Sequence, residues 1–202
     1  MADAAPIRQR PARPARQRPG RPAQISRERI VDAAVSGGNL DALTMRELAA
    51  RLGVTHGALY RWVKNRDELF DLVNEVMVER VLPAEGPRGD DWRPWLARVA
   101  WAMHDQFLAV PGYATRTARP HRHSAAFERL RGEVTAAFTS AGVAAEQAEQ
   151  SWYIFITTVV SWLAVQENPL GLGQAAPRFN LFLGTLLRGL PAQEPGVARE
   201  PE

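Results

Sequence analysis

The sequence predicts an all-α protein in which a small N-terminal helical unit is joined to a larger helical body. Three observations carry that expectation. Apolar residues recur at i, i+3 and i+4 through most of the chain from Ser26 to Leu190. Several of these segments open with a Ser, Thr, Asn or Asp that can cap a helix, twice with Glu three residues later. No run of alternating apolar and polar residues bounded by turns reads as a strand.

Residues 1–25 hold six arginines and five prolines and cannot bury a core, so they are expected to be a disordered Arg/Pro-rich arm. Ser26 opens the first helix, in which Ile30, Val31, Ala33 and Ala34 form a stripe that ends at Gly37-Gly38. Thr44-Met-Arg-Glu47 has the form of a capping box, and the helix it starts runs to Leu52 and stops at Gly53. A short third helix is expected from about Thr55 to Trp62. Asn65-Arg-Asp-Glu68 starts a fourth, with Leu69, Leu72, Val73, Val76, Met77 and Val81 at helical spacing.

Pro83 to Asp90 reads as a linker, after which Asp91 caps a helix of about Trp92 to Val110 that Pro111-Gly112 ends. Residues 112–123 are irregular or a short helix. Ser124 to Ser140 and Ala144 to Glu167 are long helical patterns, and Arg178 to Leu190 is the last helix. The expected units are therefore residues 26–75, residues 76–190 and a disordered tail at 191–202.

The net charge of +3 hides an asymmetry: residues 1–66 carry 13 basic and 5 acidic groups, and the remainder 12 and 17. A basic first third on an acidic body points to a polyanion-binding end. The chain has no cysteine, which excludes disulfides and thiolate metal sites. No apolar run reaches the roughly 20 residues of a membrane span, and the first 25 residues lack the apolar core of an export signal, so a cytoplasmic protein is expected. No catalytic motif appears, and an enzyme is not expected. His121-x-His123, with His104, lacks the companions of a metal site and reads as surface histidine.

Function concentrates in TMRELAARLGVTHGALYRWVKN, residues 44–65. A small residue, Ala49, stands where two helices would cross, Gly53 supplies the turn, and Val54, Leu59 and Val63 face the core between them. These are the requirements of a helix-turn-helix, whose second helix would present Thr55, His56, Ala58, Tyr60 and Arg61 to a DNA groove. A purely structural helical hairpin has the same spacing, but an acid-free exposed face and the basic end argue against it.

Over residues 26–75 the chain resembles the DNA-binding domain of the tetracycline-repressor (TetR) family, on the motif LTMRELAARLGVTHGALYRWVKNRDELF at 43–70. DWRPWLARVAWAMHDQFLAVPGY, residues 91–113, is similar to the helix after the linker in tetracycline repressors. The resemblance implies a homodimeric helical regulator, usually a repressor, that binds a double-stranded DNA operator and is released by a small-molecule effector. A helical protein-interaction module and a ligand-dependent activator are the alternative readings.

On that basis Lys64 is expected to place its charge on a phosphate, as the family uses this position. Thr44 and Tyr60 can donate hydroxyls to phosphates, and Arg46 can reach a phosphate or a base edge. His56 and Arg61, with Thr55 third, are the expected base readers; Gly57 and Ala58 allow close approach, and Trp62 packs or touches the backbone. The arm is expected to add non-specific affinity, with readout of an adjacent minor groove as the alternative. The effector is expected among Trp95, Val99, Met103, Gln106, Phe107, Tyr113, Arg116, Trp152 and Phe155, a lining that favours a mostly apolar ligand with one or two polar anchors. No cofactor and no metal are expected. Arg116 replaces the metal-binding histidine of tetracycline repressors, which argues against tetracycline–magnesium. The resemblance also implies a dimer interface built from Ile156, Val159, Val160, Leu163, Phe179, Leu183, Leu186 and Leu187.

Overall fold

A computed structural model describes residues 25–87, 91–119, 124–171 and 178–192. The expectations for the arm before residue 25, for His121 and His123, and for the tail beyond 192 lie outside the described residues. Among the described residues the chain forms nine helices and no strand: α1 (Arg27–Val35), α2 (Met45–Leu52), α3 (His56–Tyr60), α4 (Arg66–Val81), α5 (Trp92–Leu108), α6 (Tyr113–Thr117), α7 (Ala125–Ser140), α8 (Ala145–Glu167) and α9 (Phe179–Gly189).

Local chemistry places most helix starts. Ser26 caps α1 by accepting from the Arg29 N–H at 3.2 Å. Thr44 and Glu47 close a full capping box: the Thr44 hydroxyl accepts from the Glu47 N–H, and the Glu47 carboxylate accepts from the Thr44 N–H at 2.8 Å. The Asn65 and Ser124 side chains cap α4 and α7 by accepting from the Glu68 and Phe127 N–H groups. Gly53 ends α2 at φ +67°, where a Cβ would cost about 1–2 kcal/mol.

Three boundaries differ from the sequence expectation. α3 is five residues long because Thr55 is its cap and the chain leaves helical geometry after Arg61, with the Trp62 and Val63 N–H groups both bonding the Leu59 carbonyl. Asp91 stands at φ −76°, ψ 12°, and its side chain does not cap α5. α5 closes at Leu108 rather than Val110.

Packing joins the elements into one continuous core. α1, α2 and α3 enclose Ile30, Leu48, Ala49, Leu59 and Val63, each no more than 4% exposed. Burying a side chain the size of Leu59 is worth roughly 1.5–3 kcal/mol. α4 lies against α1 on one side and against α5 and α7 on the other, so it serves both units. The expected division at 75/76 falls inside this unbroken helix. α7 and α6 both pack on α8, while α9 is fastened to α5 by Arg93, whose guanidinium donates to the Leu187 and Leu190 carbonyls at 3.3 and 2.9 Å. A cation on those terminal carbonyls satisfies groups that have no partner inside the helix.

Candidate nucleic-acid interface and ligand cavity

The turn between α2 and α3 positions the outward face of α3. Val54 N–H bonds the Ala49 carbonyl at 3.1 Å, and Leu59 and Val63 lock the helix to the core beneath. Thr55, His56, Gly57, Tyr60, Arg61, Trp62 and Lys64 are exposed, and Ala58 is half-buried. The His56 and Tyr60 rings pack at 4.4 Å between centroids. A Cβ at Gly57 would meet nothing within 4 Å, leaving that side of α3 open to close approach.

The Thr44 hydroxyl donates to Glu47 Oε2 at 2.8 Å within the cap. Trp62 is 52% exposed, which leaves the backbone contact of its two expected roles. Thr55 Oγ1 accepts from the Ala58 N–H, and its own proton remains available to a phosphate or a base. Other cations that the sequence places here are committed within the chain: Arg27 pairs with Glu75 at 2.7 Å, Arg51 donates to the Gly37 carbonyl at 2.6 Å, and Arg66 bonds the Asp41 carbonyl. Arg46, Arg61 and Lys64 have no side-chain ion pair among the described residues.

Below this unit, α4, α5, α6, α7 and α8 enclose a cavity lined by Asn74, Met77, Val78 and Val81 of α4, Met103 and Phe107 of α5, Tyr113 and Thr117 of α6, Ser124, Phe127 and Leu130 at α7, and Ile156 and Val160 of α8. The centres of water-sized spheres have about 40 Å³ of room in it. Tyr113 is buried, and its hydroxyl donates to Asn74 Oδ1 at 2.6 Å. Burial pushes the phenol well above its usual range, so Tyr113 stays protonated.

Of the expected ligand residues, Met103, Phe107 and Tyr113 line this cavity. Trp95, Val99, Trp152 and Phe155 do not; they are core side chains, Trp95 with its indole N–H on the Glu85 carbonyl at 3.0 Å and Trp152 against Phe127. Gln106 is half-buried and also lies outside the lining. Arg116 points away, to Asp67 Oδ1 at 2.7 Å. The sequence reading missed the α4 and α7 walls. One signal was present: Asn74 is a polar residue at a buried register of an otherwise apolar stripe.

Of the expected dimer residues, Val159 and Leu163 are fully buried within the single chain, and Ile156, Val160, Phe179 and Leu183 nearly so. Phe179 is covered by Trp101, His104 and Trp162. Leu186 and Leu187 keep partial exposure. The apolar side chains that α8 and α9 leave exposed are Tyr153, Ile154 and Leu181.

α6 joins the two units. At its start, Glu167 of α8 accepts from the Gly112 and Thr115 N–H groups at 2.8 and 2.9 Å. Beyond it, Arg116 reaches Asp67 and Arg119 reaches Asp41 at 3.0 Å, across an open cleft floored by Leu40, Leu69 and Phe70. The Leu40 N–H bonds the Pro111 carbonyl at 2.8 Å. No group of three His, Asp or Glu residues among the described residues could hold a metal ion. Nor is any described helix long and apolar enough to cross a membrane.

The family model described as bacterial regulatory proteins, tetR family, matches residues 30–73, the segment from α1 into α4. A solved structure of a possible TetR family transcriptional regulator from Streptomyces coelicolor A3(2) superposes with a TM-score of 0.70, covering 83% of this chain and 99% of that one at 27% identity. Residues 30–73 thus carry a tetR-type regulatory domain, and most of the chain shares the fold of that solved regulator. Among curated TetR-family relatives, the class C tetracycline repressor protein of Escherichia coli is 34% identical over 111 residues, 50% of this chain and 51% of that protein. The HTH-type transcriptional repressor DrrR1 of Streptomyces coeruleorubidus is 41% identical over 80 residues, 36% of this chain and 28% of that protein. The chain thus spans about half the length, or less, of these curated relatives. The family-model match covers the helix-turn-helix formed by α2 and α3.

Proposed function

We propose that this regulator is a homodimeric, cytoplasmic repressor without catalytic activity, which binds a near-palindromic operator and is released when a small, mostly apolar effector enters the cavity between α4 and α8. The observation that carries the DNA reading is the outward face of α3. Its His56, Gly57, Tyr60 and Arg61 are exposed on a helix whose opposite side is held by fully buried Leu59. Arg61 and His56 are the base readers, with Thr55 beside them; Arg46, Tyr60 and Lys64 are phosphate anchors. Repression is the activity named for both curated relatives.

Dimerisation runs through the apolar surface that α8 and α9 leave exposed, Tyr153, Ile154 and Leu181, with Leu186 and Leu187. A two-fold dimer presents two copies of α3 about one DNA turn apart, which makes the operator a near-palindrome. The test is selection from a random duplex library by the purified full chain at about physiological salt. A palindromic consensus is the expected result. Binding without a consensus would refute base reading by α3, and an asymmetric consensus would refute the dimer.

A further inference from the structure

The cavity narrows the effector's chemistry beyond "mostly apolar". We propose that its ligand is an uncharged, flat aromatic molecule carrying one hydroxyl or carbonyl, and that the buried Asn74–Tyr113 pair reads that oxygen; this rests on the effector reading above.

The first argument is charge. Among the described residues, no Arg, Lys, His, Asp or Glu lines the cavity. An ionised ligand would leave water for a wall of Met77, Met103, Phe107, Phe127, Ile156 and Val160 with no counter-charge, which costs several kcal/mol. The nearest sequence candidate for such a counter-charge, Arg116, faces the outer cleft and is taken by Asp67.

The second argument is hydrogen-bond capacity. Four polar side chains touch the cavity. Ser124 Oγ accepts from the Phe127 N–H and keeps its own proton for a second polar contact, while the Thr117 hydroxyl donates to the Tyr113 carbonyl at 2.9 Å. The Asn74–Tyr113 pair is the one in which two of these side chains are already hydrogen-bonded to each other. Its one internal bond takes the Tyr113 proton and one lone pair of Asn74 Oδ1. The amide hydrogens of Asn74 can still donate to a carbonyl, and the Tyr113 oxygen can still accept from a hydroxyl. Because burial keeps the phenol protonated, the pair presents no charge of its own to a ligand.

The third argument is shape. Phe107 and Tyr113 meet edge to face at 4.5 Å between centroids, and Phe127 adds a third ring to the lining. An aromatic guest gains from such rings beyond its buried area. Met77 and Met103 are unbranched and can re-pack to admit a plate, whereas β-branched Ile156 and Val160 hold the far side.

The test titrates the full chain, by calorimetry at pH 7, with naphthalene, 2-naphthol and 2-naphthoate, three plates of similar size. We expect 2-naphthol to bind at least 10-fold more tightly than naphthalene and at least 100-fold more tightly than 2-naphthoate. Asn74→Leu should bring 2-naphthol down to the level of naphthalene, and Tyr113→Phe provides the same comparison if Asn74→Leu does not fold. Equal or tighter binding of 2-naphthoate would overturn the proposal, as would failure of all three to bind. A hydroxyl preference that survives in the folded variant would overturn it too. Release of the protein from its selected duplex is measured in parallel. Binding of 2-naphthol without release would refute the effector reading while leaving the ligand class intact.

Discussion

Gly112→Ala tests the seam between the DNA-binding unit and the body. Gly112 sits at φ +82°, where an alanine costs about 1–2 kcal/mol. Its new Cβ would also collide with Asn39 Oδ1 and lie 3.0 Å from the Asp41 backbone nitrogen. Asn39 must then swing away, giving up its 2.8 Å bond from the Asp41 N–H, worth about 1 kcal/mol. Moving the Asp41 backbone adds up to about 1 kcal/mol. The expected loss is therefore roughly 2–4 kcal/mol, or a fall in Tm of about 5–15 °C for a chain of this size. Gly142→Ala is the matched control: Gly142 has φ +84° and nothing within 4 Å of a built Cβ, so only the conformational cost of about 1–2 kcal/mol applies. Urea unfolding of both variants measures the difference, and Asn39→Ala on top of Gly112→Ala should recover part of it. Equal losses in the two glycine variants would show that the seam is not tight at residues 39–41.

Arg61→Ala should relax preference at one base position by about 1–3 kcal/mol, whereas Lys64→Ala should weaken all sequences alike and flatten the salt dependence; binding to a mutated operator series separates the two. Leu59→Ala should destabilise the chain by about 2–5 kcal/mol and abolish operator binding, read by thermal unfolding and a mobility shift. Glu47 is held below the usual carboxylate range by the Thr44 backbone N–H and then by its hydroxyl. Its contribution is present above about pH 4.5 and is lost as pH falls through the lowered value, so Glu47→Gln should flatten that part of the acid limb in unfolding midpoints measured against pH.

Helix starts were legible because caps are local. Thr44, Asn65 and Ser124 need only the backbone three residues on, and the structure uses all three. The end of α3 was not, because Val63 stands four residues after Leu59 and continues an apolar rhythm although the chain has left the helix. Asp91 shows the converse: a capping residue type whose dihedral angles keep its side chain from the job. On α8 the apolar residues wrap most of the helix, so periodicity alone could not separate the face that meets α7 from the face left outside. The cavity was half legible. α5 and α6 supplied Met103, Phe107 and Tyr113, but the walls from α4 and α7 come from tertiary packing that no local pattern encodes.

The smallness of the cavity has a kinetic consequence. With about 40 Å³ of room for water-sized spheres, the cavity as it stands admits water but not an aromatic plate, so the proposed effector would enter only as the flexible Met77 and Met103 side chains re-pack. Apparent affinity is then the intrinsic affinity scaled by the fraction of time spent open, and the observed binding rate should level off at high effector concentration instead of rising without limit. Trimming the wall, for instance with Met103→Ala, would lower the stability of the fold and yet enlarge that open fraction. For this chain, a less stable variant should be a more responsive one.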